Sequence, residues 1–197
     1  MRAPRVLIAC EESGQVRRAM RAMGINAYSC DILPARDKSI FHLQRDVRDV
    51  LRLGHIWDLM IAHPPCTRLA NSGVRWLNER SLWDELDEAA AFFKLLLDAD
   101  IPRIAVENPI PHKYAVERIG RKYDQIIQPW QFGHGEQKAT CLWLKNLPPL
   151  TPTNIVAGRE QRIWKMGPSA DRAMLRSETY PGIAAAMAAQ WGGLLLP

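Results

Sequence analysis

At 197 residues, with 47% hydrophobic and 24% charged residues, the chain has ordinary globular composition and the length of one domain with a real core. Its formal charge of +5 and pI near 9.2 permit a polyanionic partner without requiring one. No apolar run approaches the roughly eighteen residues of a membrane span, and Val6 to Cys10 is too short for a secretion signal. The four cysteines form no Cys-x-x-Cys pair and show no zinc-ligand spacing with His63, His112 or His134. These features predict a cytoplasmic, soluble protein with reduced thiols, no metal and no membrane partner.

Taken in order, Val6-Leu7-Ile8-Ala9-Cys10 suits a central parallel strand. Gln15 to Met23 follows with Val16, Ala19, Met20 and Met23 at helical spacing, and Gly24 can end that helix. Asn26 to Asp31 reads as a second strand finishing in an acid. The unit is βαβ, with a ligand-binding turn after its first strand and a carboxylate after its second. In nucleotide-type sites such an acid accepts hydrogen bonds from ribose hydroxyls. Gly14 stands alone, so a pyrophosphate cradle is disfavoured and an adenosine ligand without phosphates fits better. Asp46 to Leu53 reads as a turn and a short helix.

Trp57 to Ala62 is an apolar run that ends at His63-Pro64-Pro65-Cys66. Prolines cannot donate to a sheet ladder and restrict the residues before them, so the chain leaves the sheet in a stiff, extended turn. The cysteine then falls at the carboxyl end of a strand, where open α/β sheets place their ligand crevice. Thr67 to Arg80, with Asn71, Arg75 and Trp76, reads as a mobile loop over a pocket. Asp84 to Asp98 is an amphipathic helix with Leu86, Ala90, Phe93 and Leu97 turned to the core. Ile101 to Val106 is a further strand, ending in Glu107-Asn108-Pro109. A glutamate at the tip of an apolar strand is costly to bury unless paired or neutral. Asp124 to Trp130 and Thr140 to Leu144 read as two more strands. Asn154 to Arg176, with Arg159, Arg162, Lys165, Arg172 and Arg176, reads as a basic, solvated, loop-rich stretch. Ile183 to Trp191 is an alanine-rich helix.

A turn, Asp31, Cys66 and Glu107 thus fall, in that order, on one edge of a parallel sheet. The order resembles the catalytic domain of the S-adenosylmethionine-dependent DNA cytosine 5-methyltransferases in their compact phage or prophage form. The match runs from about Val6 to Leu144 and resumes near Tyr180. Pro64-Pro65-Cys66 is similar to that family's nucleophile motif and Glu107-Asn108 to its Glu-Asn motif. The resemblance implies an α/β, Rossmann-like class I methyltransferase fold, with a mostly parallel sheet, an antiparallel C-terminal hairpin and helices on both faces. It implies one catalytic domain over residues 1–197, with a basic, loop-rich insertion at about 148–178.

The resemblance also implies the chemistry. Cys66 attacks carbon 6 of cytosine, and Glu107, with its pKa raised, protonates ring nitrogen 3. Asn108 positions Pro65 or the glutamate turn, and Lys138 joins the catalytic set. Cys10, Glu11, Ser13 and Gly14 hold the methionine end of S-adenosylmethionine, Asp31 with Ile32 the ribose, and Asp46 with Val47 the adenine, with Pro64 beside them. Pro65, Arg75, Gln137 and Thr140 contact the substrate. The chain departs from the family in its cofactor turn, poor in glycine and aromatics, and in Glu136-Gln137-Lys138-Ala139-Thr140, where a base-contacting motif would carry arginines. Only about 35 residues separate Leu144 from Tyr180, where members that read a sequence usually hold a recognition domain. The expected function is carbon 5 methylation of cytosine in duplex or single-stranded DNA with little sequence preference. Two alternatives stand beside it: modification of a free cytidine nucleotide, and a non-catalytic module that binds cofactor or DNA.

Overall fold

A computed structural model describes residues 2–54, 56–165, 167 and 172–196. Residues 166 and 168–171 of the basic stretch therefore lie outside the described residues. Seven strands form one sheet: β1 (Arg5–Ala9), β2 (Asn26–Asp31), β3 (His42–Gln44), β4 (Leu59–Ala62), β5 (Arg103–Pro109), β6 (Gln125–Ile127) and β7 (Thr140–Lys145). Their order is β3-β2-β1-β4-β5-β7-β6, and only β7 runs against the rest. The chain winds outward to one side from β1 and to the other from β4. The switch point between them is where such sheets open a crevice beyond their strand ends.

Among the described residues eight α-helices flank the sheet or its loops: α1 (Gln15–Ala22), α2 (Val47–Leu51), α3 (Trp76–Glu79), α4 (Trp83–Leu97), α5 (Lys113–Ile119), α6 (Arg162–Lys165), α7 (Arg172–Ser177) and α8 (Pro181–Gln190). Both faces of the central strands are covered, which is why Val6–Ala9 and Leu59–Ala62 are apolar without alternation. Leu7, Met60, Ile104 and Trp143 pack with Leu86, Ala90 and Phe93 of α4 on one side. Val6, Ile61, Ala105 and Leu142 pack with Met20 of α1 and Met187 of α8 on the other.

The structure moves several boundaries for physical reasons. Strand β5 continues through Glu107, Asn108 and Pro109 because antiparallel β7 pairs with them, Glu107 opposite Leu142 and Asn108 opposite Cys141. Strand β6 stops at Ile127, since Pro129 opens a 3-10 turn closed by reciprocal Gln128–Gln131 hydrogen bonds. The stretch after Cys66 is not the loose loop its polarity suggests. It forms a turn, a 3-10 segment at Asn71–Gly73 and α3, anchored by buried Leu69 and Leu77. Among the described residues no helix is long and apolar enough to cross a membrane.

Candidate active site

A cavity of about 600 Å³ opens at the carboxyl edge of the sheet. Its walls come from the turns after β1, β2, β3 and β4, from the end of β5, from Lys138 just before β7, and from Arg176 to Thr179 just before α8. Because β7 is reversed, its beginning falls at the same edge as the ends of its parallel neighbours. That reversal brings Lys138 into the cavity.

One half of the cavity is lined by Cys10, Glu11, Glu12, Asp31 and Asp46. Glu11 is buried, and its carboxylate accepts hydrogen bonds from the backbone N–H of Val16 (2.6 Å) and Arg17 (3.3 Å) at the start of α1. Such donors and the helix dipole favour an anion there, although burial pushes the Glu11 carboxyl up. Asp31 ends β2 and accepts the Leu33 N–H at 2.9 Å; burial raises its pKa, with Glu12 adding to the effect. Exposed Ile32 and Leu33 border it and offer apolar surface to a ring. This half sets four carboxylates beside Arg45 and Arg48 with no glycine-rich phosphate cradle, and its carboxylates offer acceptors to a ligand with hydroxyls and positive charge. Asp46 reaches the same wall, but its carboxylate caps α2 through the Arg48 N–H (2.8 Å) and grips the Arg48 guanidinium (2.7 Å).

The other half holds Cys66. Its carbonyl accepts the N–H groups of Leu69 (3.0 Å) and Ala70 (2.8 Å), which fixes the thiol after the proline turn. Burial and then nearby Glu107 push the thiol pKa up, while Arg176 and Lys138 pull it down. Asn108 is buried, and its Nδ2 donates to the Pro64 carbonyl at 2.9 Å, tying the cysteine turn to β5. The Glu107 carboxylate meets His63 Nδ1 at 2.7 Å. Burial alone would raise the Glu107 pKa, but the hydrogen bond and charge of His63, with Lys138, hold it below the ordinary carboxylate range. The raised Glu107 pKa expected from sequence is therefore corrected: an imidazole that the strand pattern did not reveal is its partner. The Lys138 amino group donates to the Glu178 carbonyl at 3.1 Å, and burial holds its pKa down.

Of the residues singled out from sequence, Cys10, Glu11, Ser13, Asp31, Ile32, Asp46, Val47, Pro64, Pro65, Cys66, Glu107, Asn108 and Lys138 line one cavity. Four expected residues are placed elsewhere. Gly14 opens α1 with a positive φ of 71°, and a Cβ there would lie 2.2 Å from the Arg17 guanidinium; its role is conformational. Arg75 is exposed and stacks on Trp76. Gln137 accepts from Gln161 Nε2, and Thr140 is buried with its hydroxyl on the Lys138 carbonyl. Residues missed from sequence include Glu12, Cys30, Leu33, Arg45, Arg48, His63, Phe92, Pro109 and the closing segment Arg176 to Thr179. In that segment Glu178 accepts from Gln15 Nε2 (2.5 Å) and pairs with Arg36, which also pairs with Glu12.

No protein-family model matches the chain, and no curated protein does. Solved structures do. A protein described as a DNA modification methyltransferase encoded within a prophage (E. coli) is similar with a TM-score of 0.50 and 14% identity, over 78% of this chain and 52% of that one. The Entamoeba histolytica methyltransferase EhMeth is similar with a TM-score of 0.48 and 18% identity, over 82% of this chain and 57% of that one. The chain spans about half the length of these proteins. With the strand order above, the first likeness defines the fold as a Rossmann-like class I methyltransferase fold.

Proposed function

We propose that this chain is an S-adenosylmethionine-dependent enzyme that methylates carbon 5 of cytosine in DNA through a Cys66–cytosine covalent bond. The observation that carries the reading is the shared cavity: Cys66, Glu107 and Lys138 at one end, and a carboxylate-lined wall without a phosphate cradle at the other. The description of the prophage-encoded neighbour as a DNA modification methyltransferase agrees with it.

The acidic wall fits the cofactor, whose sulfonium and ammonium groups are cationic and whose ribose offers two hydroxyls. Asp31 would accept from those hydroxyls, Ile32 and Val47 would cover the adenine, and Cys10, Glu11 and Ser13 would face the methionine end, with Pro64 between the two halves. When bound, the cofactor supplies an electrophilic methyl group. Pro65 would pack against the target base.

Carbon 5 of cytosine is a poor nucleophile until carbon 6 gains a bond. Cys66 Sγ adds to carbon 6 and its thiol proton leaves to water. The carbon 5–carbon 6 double bond opens toward the ring, and nitrogen 3 takes a proton relayed through Glu107, which is a carboxylate at rest and gains that proton as the sulfur–carbon bond forms. Carbon 5 then takes the methyl group and loses its proton to water. The carbon 6–sulfur bond breaks as the double bond re-forms, nitrogen 3 returns its proton, and the departing thiolate takes a proton back from water, so that one proton, the one from carbon 5, is released overall. Asn108 holds the Pro64 carbonyl so that thiol and carboxyl keep their spacing, and Lys138 stabilises the thiolate as it forms. Reaching this cavity requires a flipped or single-stranded base, at about a few kcal/mol from a duplex.

DNA carrying 5-fluorocytosine tests the reading, because fluorine cannot leave carbon 5 as a proton does. Denaturing gels and mass spectrometry should show a covalent adduct with the wild-type protein and none with Cys66→Ser. Failure to label cytosine in duplex or single-stranded DNA from tritiated cofactor, beside an active control enzyme, would sink it. A second reading, modification of a free cytidine nucleotide, is favoured by one feature. Only 35 residues lie between Lys145 and Pro181, and part of them closes the cavity. Turnover on dCMP but not on oligonucleotides would replace the first reading with the second.

A further inference from the structure

The register of β4 with β5 sets Ile61 opposite Ala105. Two residues on, with side chains returning to the same face, His63 comes opposite Glu107. The His63 N–H holds the Ala9 carbonyl at 2.9 Å, so the ladder with β1 continues past the end of β4. Across four adjacent strands the edge therefore presents Glu11, His63, Glu107 and Lys138, acid and base in alternation. His63 is nearly buried, its Nδ1 lies 2.7 Å from Glu107 Oε2, and its Nε2 is buried without a hydrogen-bond partner. The charged groups facing it are Glu107 from β5, Glu11 from the turn after β1 and Lys138 from before β7.

Imidazolium with carboxylate and imidazole with carboxylic acid differ here by one proton moved along one hydrogen bond. We infer that His63 is the proton reservoir for Glu107, acting through it and not on the base. The inference rests on the carbon 5 reading above. As sulfur adds to carbon 6, nitrogen 3 takes a proton from Glu107 while His63 Nδ1 passes its proton to Oε2. The carboxylate is restored and the imidazolium becomes neutral imidazole. When sulfur leaves, the proton returns along the same path, so turnover consumes none. Burial disfavours the imidazolium, but the Glu107 hydrogen bond, its charge and that of Glu11 outweigh burial and raise the His63 pKa, so the reservoir is filled near neutrality.

The test is the pH dependence of adduct formation on 5-fluorocytosine DNA in a single turnover, for wild type, His63→Gln and His63→Asn. Calorimetric binding of S-adenosylhomocysteine serves as the folding control. The wild-type rate should fall on the alkaline side as His63 loses its proton. His63→Gln can still hydrogen-bond to Glu107 but stores no proton; it should react at least about tenfold more slowly and lose that alkaline limb. Combining it with Glu107→Gln should add little further loss. A limb retained in a folded His63 variant would overturn the inference while leaving the carbon 5 reading intact. Absence of any wild-type adduct, at every pH, would overturn both. If neither variant folds, nitrogen NMR of the wild-type imidazole decides. Both ring nitrogens should be protonated at neutral pH, and a neutral ring would overturn the inference.

Discussion

Removing the Asp31 carboxylate should weaken cofactor binding without harming the fold. A charge-assisted hydrogen bond contributes about 1.5–3 kcal/mol net. Asp31 also carries a cost before any ligand binds, since burial and Glu12 disfavour its ionised form. The lower part of that range is therefore expected for Asp31→Ala, about 1.5–2 kcal/mol, or roughly a ten- to thirty-fold rise in Kd. Calorimetric titration with S-adenosylhomocysteine reads it directly. The same titration with an analogue lacking a ribose hydroxyl separates a lost contact from a general disturbance. Wild type should lose affinity for that analogue, and Asp31→Ala should lose little more. The sign with pH follows from the raised free-state pKa. Hydroxyl donors favour the carboxylate, so binding expels a proton from Asp31 where it is partly protonated. Affinity should rise with pH through that range and level off above it, and the variant should show no such slope. A raised folded-state pKa in an acid means lost stability when it ionises, so the ligand-free variant should melt at the wild-type temperature or higher. An unchanged Kd, or an equal loss for the analogue in both proteins, would remove Asp31 from the ribose site.

Three other expectations follow from contacts away from Asp31. Glu107→Gln should slow adduct formation by roughly 10²- to 10⁴-fold while leaving S-adenosylhomocysteine affinity near wild type; a wild-type rate would remove Glu107 from proton transfer. Asp37→Asn should cost about 1–3 kcal/mol in urea unfolding, because Asp37 lies 2.6 Å from the buried Arg17 guanidinium. Burial raises the Asp37 pKa, but Arg17 and Arg18 outweigh it and hold the carboxyl below its ordinary 3.8. Its stabilisation is thus complete above about pH 4 and lost as pH falls through the lowered value, so an acid-unfolding curve identical in the variant would refute the pairing. Gly182→Ala should lower stability by at least about 1–3 kcal/mol, since a Cβ there would stand 1.9 Å from the Phe132 carbonyl; Gly193→Ala, with open space around it, should change the melting temperature little.

What could be read from sequence was whatever one strand or one turn decides alone. Cys66 follows from apolar residues ending in two prolines, Asp31 from an acid closing a short strand, and Glu107 from an acid where an apolar run stops. Period-2 alternation does not say which strands are neighbours or in what register, and so His63 was seen only as a histidine without zinc spacing. Its partnership exists because Ile61 pairs with Ala105. The same limit hid the antiparallel pairing that lengthens β5 through Pro109. Of the closing segment Arg176 to Thr179, Arg176 ends a stretch whose basic composition reads as solvated, and Ser177 to Thr179 carry no site signal of their own. They meet the cavity through contacts with Gln15, Arg36 and Lys138, each more than 35 positions away. Gly14 shows the converse: its helical setting, and not a ligand, explains the glycine.

The segment held by Glu178 bears on how the protein comes into being on a ribosome. The strands from β1 to β5 can pair once residue 109 has left the exit tunnel, yet one wall of the cavity is then still unmade. Gln15 and Arg36 await a partner that is translated at residue 178. A nascent chain would therefore bring its first strands together before it could enclose a ligand, and the same late stretch leads into α8, which covers one face of the sheet. Glu178→Ala, which keeps α8 and its packing on the sheet, should leave an intact fold with a more open, weakly binding cleft.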